Sequence, residues 1–443
     1  MKSIVSLFVL ILCLQSNIYG QKTPSYEFEK SLPAWQQEDN VPAVAVGIIE
    51  NGQMVYSKVF GEQRKGIPAS EQTLFTVASL TKPIFATTAL HLIEKNVLGL
   101  DEPLYRYHID PDLKEDQHLK KLTARFVLSH QSGFVNWRNM SPSKKLKFNF
   151  EPGSQYLYSG EGYEYLRKAI ENKTGKNLSQ LASETLFQPL GLTAIDFTWN
   201  ANWSMEYVAY PYNNKLEEYN YAPRTELNAA AGLLTTISDY TKLCAFVIRG
   251  EGLSTSLFKE LMKPQVQVKE NLFYGLGWEV IPELSNKESV IMHSGDENGI
   301  KTMVVLLPKS KKGIVVFTNA DDGFKVYQKV IESYLTEGKE IFEIKNKKMI
   351  PTEKYKLSKE ELKNYTGTFE IKKNVTFQIV ENGQKLDLVI PGQSPFKLVA
   401  QTQNIFQVDE EIKIEFVRNQ TNQITAVVIY QYGVKSYEGK KIN

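Results

Sequence analysis

Four serines in this chain are followed by a lysine three positions later: Ser79, Ser141, Ser256 and Ser394. Residues three apart share one face of a helix, so in a helix the amine would lie beside the hydroxyl. A serine hydroxyl is a weak nucleophile, and a close amine can activate it, either as the base or as a cation that favours another base. The pattern indicates nucleophilic catalysis, but its repetition means that spacing alone selects none of the four.

Sequence context favours Ser79 over the other three serines. The stretch 83–93 is almost entirely apolar and continues to residue 96, which predicts a buried helix with Ser79 at its N-terminus. The positive end of that helix would stabilise developing negative charge. Ser141 lies in a Lys-rich polar stretch, Ser256 in a mixed segment and Ser394 in a proline-flanked loop. The alternative for Ser79 is an ordinary helix N-cap without a chemical role.

The elements that would position Ser79 come in the order strands, helices, strands. Two β-rich runs, 41–50 and 53–60, are joined by Asn51-Gly52, a pair that tolerates the positive φ angles of a tight hairpin turn. Apolar strands are predicted again at 301–307 and 313–318, followed by a helix at 324–335. We predict an α+β fold, in which the terminal segments pair in a mostly antiparallel sheet and a helical block is inserted between them.

The C-terminal part of the chain has a different pattern. Nine of the seventeen residues from 345 to 361 are charged, and a proline interrupts them, which indicates a solvated linker. Short β-rich runs then recur at 375–380, 386–390, 412–417 and 424–429, which predicts a small all-β barrel or sandwich. The predicted organisation is therefore a first domain at 21–344 that carries Ser79, a linker at 345–361 and a C-terminal β-barrel domain at 362–443.

The chain begins with the layout of a secretory signal peptide. Lys2 precedes an apolar stretch at 4–14 and a polar segment that ends at Gly20, so we expect a signal peptide at 1–20 and export to the periplasm or the medium. A membrane anchor is the alternative, but the apolar stretch is shorter than the roughly 20 residues of a bilayer span. Cleavage would leave no membrane span and Cys244 as the only cysteine, which we interpret as a core residue.

Composition limits the kind of partner. The 443 residues carry a formal net charge of +2, which is no electrostatic footprint for nucleic acid or anionic membrane. The five histidines lack the H-E-x-x-H spacing of a zinc site, and no P-loop or complete dinucleotide fingerprint occurs. We expect a small-molecule or peptide substrate, no nucleic acid, no metal and no cofactor, and leave the oligomeric state open.

The motifs around and after Ser79 resemble those of the serine β-lactamase-like, penicillin-recognising hydrolases, which include class C β-lactamases and S12-like peptidases. The similar segments, spread over residues 35 to 340, are FTVASLTK at 75–82, LTARFVLSHQSG at 122–133, EPGSQYLYSG at 151–160, AAAGLLTTISD at 229–239 and YGLGW at 274–278. The resemblance implies a β-lactamase/transpeptidase-like fold. The tail resembles the lipocalin-like barrel of some D-aminopeptidase-type members.

The resemblance also implies roles for individual residues. Ser79 would be the nucleophile, Lys82 its neighbouring amine and Tyr158 the general base. The strand block corresponds to His293-Ser294-Gly295, which would bind the substrate, and the backbone N–H groups of Ser79 and Asp296 would form the oxyanion hole. The alternatives are a Tyr158 that donates one structural hydrogen bond and a His293 satisfied by local hydrogen bonds.

Three further positions bear on these roles. The sequence Lys-Thr-Gly at 173–175 is identical to a motif of the family. It follows a segment predicted to be helical, so we interpret Gly175 as a helix C-terminal residue. Gly160 stands where the family has the asparagine of Tyr-x-Asn, and His293 stands where β-lactamases have lysine. Both departures weaken the case for β-lactams and favour esterase, D-aminopeptidase or amidase activity through an acyl-enzyme. The alternatives are a β-lactamase or DD-peptidase, and a silent protein that holds cell-wall fragments.

Overall fold

The computed structural model describes residues 26–140, 143–347, 353–373, 375–391, 395–409, 412–431 and 434–442. The predicted signal peptide lies outside the described residues, as do Ser141 and Ser394. The α-helices are α1 (Phe28–Glu38), α2 (Thr81–Glu94), α3 (Ala124–Leu128), α4 (Gly160–Thr174), α5 (Leu178–Ala182), α6 (Ile237–Arg249), α7 (Thr255–Met262), α8 (Gly323–Tyr334), α9 (Gly338–Asn346) and α10 (Lys359–Tyr365). Within these ranges no helix is long and apolar enough to cross a membrane.

The strands form one large sheet, one small sheet and one barrel. Those of the large and small sheets are β1 (Ala43–Glu50), β2 (Gln53–Arg64), β3 (Ile67–Pro68), β4 (Phe75–Thr76), β5 (Ile195–Asp196), β6 (Leu234–Thr235), β7 (Val266–Lys269), β8 (Leu272–Tyr274), β9 (Glu279–Ile281), β10 (Val290–Glu297), β11 (Ile300–Leu307) and β12 (Lys312–Thr318). Those of the barrel are β13 (Gly367–Lys372), β14 (Val375–Asn382), β15 (Lys385–Val389), β16 (Phe396–Ala400), β17 (Ile405–Gln407), β18 (Ile412–Arg418), β19 (Ile424–Gln431) and β20 (Val434–Lys441).

The large sheet is antiparallel, with the strand order β3-β2-β1-β12-β11-β10-β9-β8-β7. The first and last strands in sequence of this unit meet at its centre, where Val44 of β1 pairs with Thr318 of β12. The hairpin from β1 to β2 turns at Asn51 and Gly52, whose φ angles are 52° and 74°. The prediction of an antiparallel sheet with paired terminal segments is therefore confirmed.

Two apolar layers cover the two faces of this sheet. Val44, Val46 and Ile48 of β1 pack with α1, α8 and α9 on one face. The alternate residues Ala43 and Ala45 pack with α2 and α6 on the other face, together with the rest of the helical block. This alternation is the two-residue period of a strand buried on both faces. Ser79 lies on the second face, between β4 and α2.

The C-terminal strands β13 to β20 form a closed barrel, in agreement with the predicted all-β unit. Closure is made by β13 and β20, where Phe369 pairs with Lys441. The interior holds large side chains, among them Phe406 and Phe416, and α10 adds Leu362 and Tyr365 to the same cluster. The inside of the barrel is thus a packed core.

Helix occupies both ends of the predicted linker at 345–361. Helix α9 ends at Asn346 and α10 begins at Lys359, while residues 348–352 lie outside the described residues. The start of α10 is a capping box, in which the Ser358 side chain accepts from the Glu361 backbone N–H and the Glu361 carboxylate accepts from the Ser358 N–H. The Ser-x-x-Glu spacing carries that signal in the sequence. The division of the chain into domains stays a prediction.

Candidate active site

The turn that carries Ser79 is held in an uncommon conformation. Ser79 lies in a 3₁₀ turn, Ala78–Leu80, that leads directly into α2. Ala78 has a φ of 48°, and a non-glycine residue in this region costs about 1–3 kcal/mol. Thr81 compensates by linking the turn to its surroundings, because its Oγ1 donates to the Ala78 carbonyl at 2.6 Å and accepts from the Leu233 N–H at 3.0 Å.

The Ser79 hydroxyl does not cap the helix. The N-cap position of α2 is Leu80, without a side-chain cap hydrogen bond, and the 3₁₀ turn before it also lacks one. The alternative of an ordinary N-cap serine is therefore wrong. The hydroxyl instead faces the Lys82 amine, as the helical spacing predicts.

Lys82 is buried, with 1% of its surface exposed. Its Nζ lies 3.1 Å from Ser79 Oγ and 2.9 Å from the carbonyl oxygen of Ala230, to both of which it donates. The same Nζ lies 4.6 Å from the centre of the Tyr158 ring. Burial disfavours the ammonium form and lowers the pKa of Lys82 from 10.5 to about 7. A large fraction of the amine is therefore uncharged near neutral pH.

Tyr158 lies close to both the lysine and the sheet, with its ring centre 4.6 Å from Lys82 Nζ and 6.4 Å from the ring centre of His293. Burial raises the pKa of its phenol above the ordinary value of 10, although a hydrogen bond with Ser79 lowers it in part. Tyr158 is therefore a neutral phenol at physiological pH. The ring packs at a tilt of 35° against the imidazole of His130, with the ring centres 4.2 Å apart, and His130 Nδ1 accepts from the backbone N–H of Ser159 at 3.0 Å.

His293 lies in the same cluster and is 3% exposed. Its Nδ1 is 2.8 Å from the carbonyl oxygen of Ser294, so we assign the proton to Nδ1. Its Nε2, 2.7 Å from the Tyr274 hydroxyl, then accepts that O–H. Burial, with the charge of Lys82 as a further cause, lowers the pKa of His293 well below 6.5. His293 is a neutral, fully bonded imidazole at physiological pH.

Gly295 allows strand β10 to approach the nucleophile turn. A Cβ at this position would lie 2.3 Å from the carbonyl oxygen of Val77 and 2.2 Å from Thr302 Oγ1. Thr302 Oγ1 itself donates to Val77 O at 3.0 Å, which ties the sheet to the residue two before Ser79. Asp296 follows, and its carboxylate is exposed and pairs with Lys301 at 2.7 Å, so only its backbone could serve the site.

We expect Gly295→Ala to lower both the thermal stability and the activity of the protein. The new methyl group would meet a backbone carbonyl that cannot rotate away, and such overpacking costs about 1–3 kcal/mol. Calorimetry and ester turnover would measure the two effects. Gly439→Ala is a matched control in β20, where the nearest atom to a new Cβ is at 3.4 Å. A Gly295→Ala protein indistinguishable from wild type would contradict the proposed close approach.

The side chain of Trp137 fills the space beside Gly160. A Cβ there would lie 2.7 Å from two atoms of the Trp137 indole ring, and the Gly160 N–H donates to Asn136 Oδ1 at 2.8 Å. The space that an asparagine side chain would need is therefore occupied by Trp137. The missing asparagine is evident from the sequence, whereas the tryptophan that fills its place is not.

The structure brings Ser79, Lys82, Tyr158 and His293 into one cluster, and it places Ser256 and Gly175 in other elements. Ser256 lies in the first turn of α7, where its hydroxyl is 3.2 Å from that of Ser254. Gly175 terminates α4 with a φ of 68°, as interpreted from the sequence. Cys244 is fully buried in α6, as expected of a core residue.

Two contacts in the cluster had no clear sequence signal. The Ala230 carbonyl lies within the segment AAAGLLTTISD, but nothing in the segment indicates which atom faces Lys82. Tyr274 begins the segment YGLGW, yet its bond to His293 depends on the pairing of distant strands. Across the described ranges no group of three or more His, Cys, Asp or Glu side chains could hold a metal ion.

An antiparallel sheet covered by a helical block, with the Ser-x-x-Lys turn at the start of a buried helix, defines the β-lactamase/transpeptidase class of folds. The chain belongs to the Beta-lactamase family, whose model matches residues 28–332. This is a family of serine hydrolases.

Curated relatives match at low identity. Penicillin-binding protein 4* of Bacillus subtilis (strain 168) is 23% identical over 430 residues, which cover 87% of this chain and 92% of the relative. Protein flp of Staphylococcus aureus (strain MRSA252) is 22% identical over 313 residues, or 65% of this chain, and the match spans only 61% of that relative.

Solved structures of the same fold cover nearly the whole chain. The octameric penicillin-binding protein homologue from Pyrococcus abyssi superposes with a TM-score of 0.59 at 18% identity, over 93% of this chain and 99% of that one. SurE superposes with a TM-score of 0.64 at 18% identity, over 93% and 98%. SurE in a structure with D-Leu gives 0.63 at 17%, again over 93% and 98%. At these identities the likeness extends to the fold alone.

Proposed function

We propose that this protein hydrolyses esters or amides through an acyl-enzyme formed on Ser79. The observation that carries the proposal is the contact of 3.1 Å between Ser79 Oγ and the buried amine of Lys82. A buried lysine without a carboxylate partner is costly to keep, and strongly perturbed amines of this kind are typical of functional sites. The strained Ala78 before the serine supports the same interpretation.

The protonation states favour Lys82 as the base. Its pKa of about 7 leaves much of the amine free at neutral pH, whereas burial keeps the Tyr158 phenol protonated. The Lys82 amine takes the Ser79 proton as the hydroxyl attacks the carbonyl carbon. The Tyr158 phenol, bonded to Ser79, donates to the leaving group and recovers its proton through Lys82. This revises the role implied by the family resemblance, in which Tyr158 is the base.

The tetrahedral intermediate needs donors near the developing oxyanion. We propose the backbone N–H groups of Ser79 and Asp296 for this role. The close contact between Gly295 and Val77 supports this assignment, because the contact brings the strand that carries Asp296 against the turn that carries Ser79. Ser294 and Gly295 would form the strand edge along which the substrate lies.

The charges of the site favour a neutral substrate near the scissile bond. A permanent cation at position 293 would hold a carboxylate, but His293 is neutral and bonded to Tyr274. Esters, amides and D-amino-acid amides or esters therefore fit better than β-lactams. The name of the Bacillus subtilis relative keeps β-lactamase or DD-peptidase activity as the second candidate. A silent protein could hold cell-wall fragments in the cleft or in the barrel, and the barrel is disfavoured because its interior is packed with side chains.

The test is a substrate panel on the purified protein, with short acyl esters, D-amino-acid amides and a chromogenic cephalosporin. We expect turnover of esters or amides that exceeds cephalosporin turnover, with Ser79→Ala as the blank. Preferred cephalosporin turnover would move the assignment to a β-lactamase. If no substrate is turned over and no acyl-enzyme forms, the silent binding protein becomes the better description.

Tyr158→Phe should lower kcat by about 10²–10⁴-fold, the range typical of one acid–base group. The ascending limb of the pH profile should remain near pH 7, because it follows the free Lys82 amine. Tyr165→Phe is the control, since it also removes a buried tyrosine hydroxyl, one that donates to the His108 carbonyl at 2.6 Å. If the ascending limb of the pH profile shifts to a different pH in Tyr158→Phe, the base is Tyr158 and not Lys82.

We also propose that the chain is exported to the periplasm or the medium and that its partner is a small molecule or a peptide, with no role for nucleic acid. The signal-peptide layout at 1–20 and the net charge of +2 support these points. Fractionation of cells that produce the full chain, with N-terminal sequencing of the mature protein, tests the predicted cleavage after Gly20.

A further inference from the structure

The indole of Trp137 lies against Gly160, two residues after Tyr158. Ser159, between Tyr158 and Gly160, has the extended backbone angles φ −143° and ψ 112°. In an extended backbone alternate side chains project to the same side, so a side chain at 160 would point the same way as Tyr158. The Trp137 ring fills that direction, 2.7 Å from the Cβ that Gly160 lacks.

The distance along the chain keeps this ring close to the reacting atoms. Two residues of extended backbone span roughly 7 Å, so Gly160 and the indole on it are within one side-chain length of Tyr158. The Tyr158 ring centre lies 4.6 Å from Lys82 Nζ, which is itself 3.1 Å from Ser79 Oγ. Ser159 points away from this side, since its hydroxyl donates to the Val135 carbonyl at 2.9 Å.

Both neighbours of Trp137 are clamped to the first turn of α4. Asn136 accepts the Gly160 N–H on its side chain, at 2.8 Å, and the Glu161 N–H on its carbonyl, at 2.9 Å. Arg138 donates its backbone N–H to Glu161 at 2.9 Å and its guanidinium to the same carboxylate and to Asp110. The indole is thus held from both sides, while Trp137 itself is only half-buried. Such a fixed and partly exposed aromatic ring is suited to contact a ligand.

We propose that Trp137 is a specificity-determining residue whose indole face binds the apolar part of the acyl group next to the scissile carbonyl. The inference rests on the proposed acyl-enzyme function and names its substrate class, acyl donors with a benzyl or branched aliphatic substituent. Gly160 contributes no side chain and its N–H is already bonded to Asn136, so the residues that flank Tyr158 on this side offer a hydrophobic surface.

The test compares esters that share a leaving group and differ only in the acyl part, p-nitrophenyl phenylacetate and p-nitrophenyl acetate. Trp137→Ala should lower kcat/KM for the phenylacetate about 10–100-fold and change that for the acetate by less than about threefold. Trp137→Phe should retain most of the preference. Trp35→Ala is the control, because this half-buried tryptophan packs on the opposite face of the sheet.

An equal loss for both esters in Trp137→Ala would overturn the subsite and leave Trp137 a packing residue. If wild type hydrolyses neither ester, calorimetric binding of phenylacetamide tests the subsite by itself, and the substrate panel and acyl-enzyme formation decide the proposed function separately. Binding to wild type that is at least about tenfold weaker in Trp137→Ala supports the subsite, and binding that is absent or unchanged overturns it.

Discussion

Replacement of Ser79 by alanine should abolish covalent labelling by a fluorophosphonate probe and lower kcat/KM for any ester substrate by about 10⁴-fold or more. The removal of a nucleophile from a serine hydrolase leaves only the rate that binding and the oxyanion hole supply. The substitution deletes one half-buried hydroxyl that caps no helix, so the fold should be preserved. Intact mass after labelling and initial rates over a range of substrate concentrations are the measurements.

The chain supplies its own control for this experiment. Ser256 has the same Ser-x-x-Lys spacing but lies at the start of α7, with its hydroxyl directed at Ser254. Ser256→Ala should label and turn over substrate like wild type. Labelling that survives in Ser79→Ala, or that disappears in Ser256→Ala, would refute the assignment of the nucleophile.

The pattern of apolar residues was sufficient to predict the framework that holds Ser79. Several elements of this framework are local features, determined by hydrophobic periodicity and turn residues within a few positions of one another. They are the hairpin at Asn51-Gly52, helix α2 and strands β11 and β12. Their agreement with the structure is close because each buries an unambiguous apolar face. The relation of β1 to β12 also follows, since both are apolar on successive residues and must lie inside a sheet covered on both faces.

The contacts that determine the chemistry of the candidate active site cannot be predicted from the local sequence pattern. His293 was interpreted as a group that faces the substrate, yet its Nε2 is occupied by Tyr274, nineteen residues earlier on another strand. Gly160 was interpreted as the loss of an amide, and the side chain that fills its place comes from a loop more than twenty residues before it. Such pairs depend on how α4, β8 and β10 meet, which is a property of the assembled fold.

The protonation state of Lys82 was likewise beyond the sequence. The spacing Ser-x-x-Lys predicts proximity, and the serine is indeed 3.1 Å away. Whether the amine acts as a cation or as a base depends on its burial, and no sequence feature indicates that its position is almost free of solvent, at 1% exposure. The burial of Lys82 therefore supports the proposed role as base, which is one of the two roles that the Ser-x-x-Lys spacing leaves open.

Lys82→Met should lower kcat/KM by about 10³–10⁴-fold, as expected for loss of the base that activates the nucleophile, and should raise the thermal stability at pH 6. A pKa displaced from 10.5 to about 7 by burial corresponds to a cost on the order of 5 kcal/mol for keeping the charged amine in the folded protein. Methionine carries no charge and removes that cost. It also leaves the Ala230 carbonyl without its hydrogen-bond donor, which destabilises the variant by about 1–3 kcal/mol.

The stability gain should depend on pH in a defined direction. Between about pH 7 and pH 10.5 the unfolded chain binds the Lys82 proton more tightly than the folded protein does, so wild-type stability rises with pH in this window. The advantage of Lys82→Met is therefore full below about pH 7 and declines towards pH 10.5. Melting temperatures of both proteins at pH 6 and pH 9.5 measure the decline.

Lys259→Met, which replaces an exposed lysine of the other described Ser-x-x-Lys motif, should show no such trend. A Lys82→Met protein that is less stable than wild type at pH 6 would mean that the amine is stabilised as a cation, and would return the role of base to Tyr158.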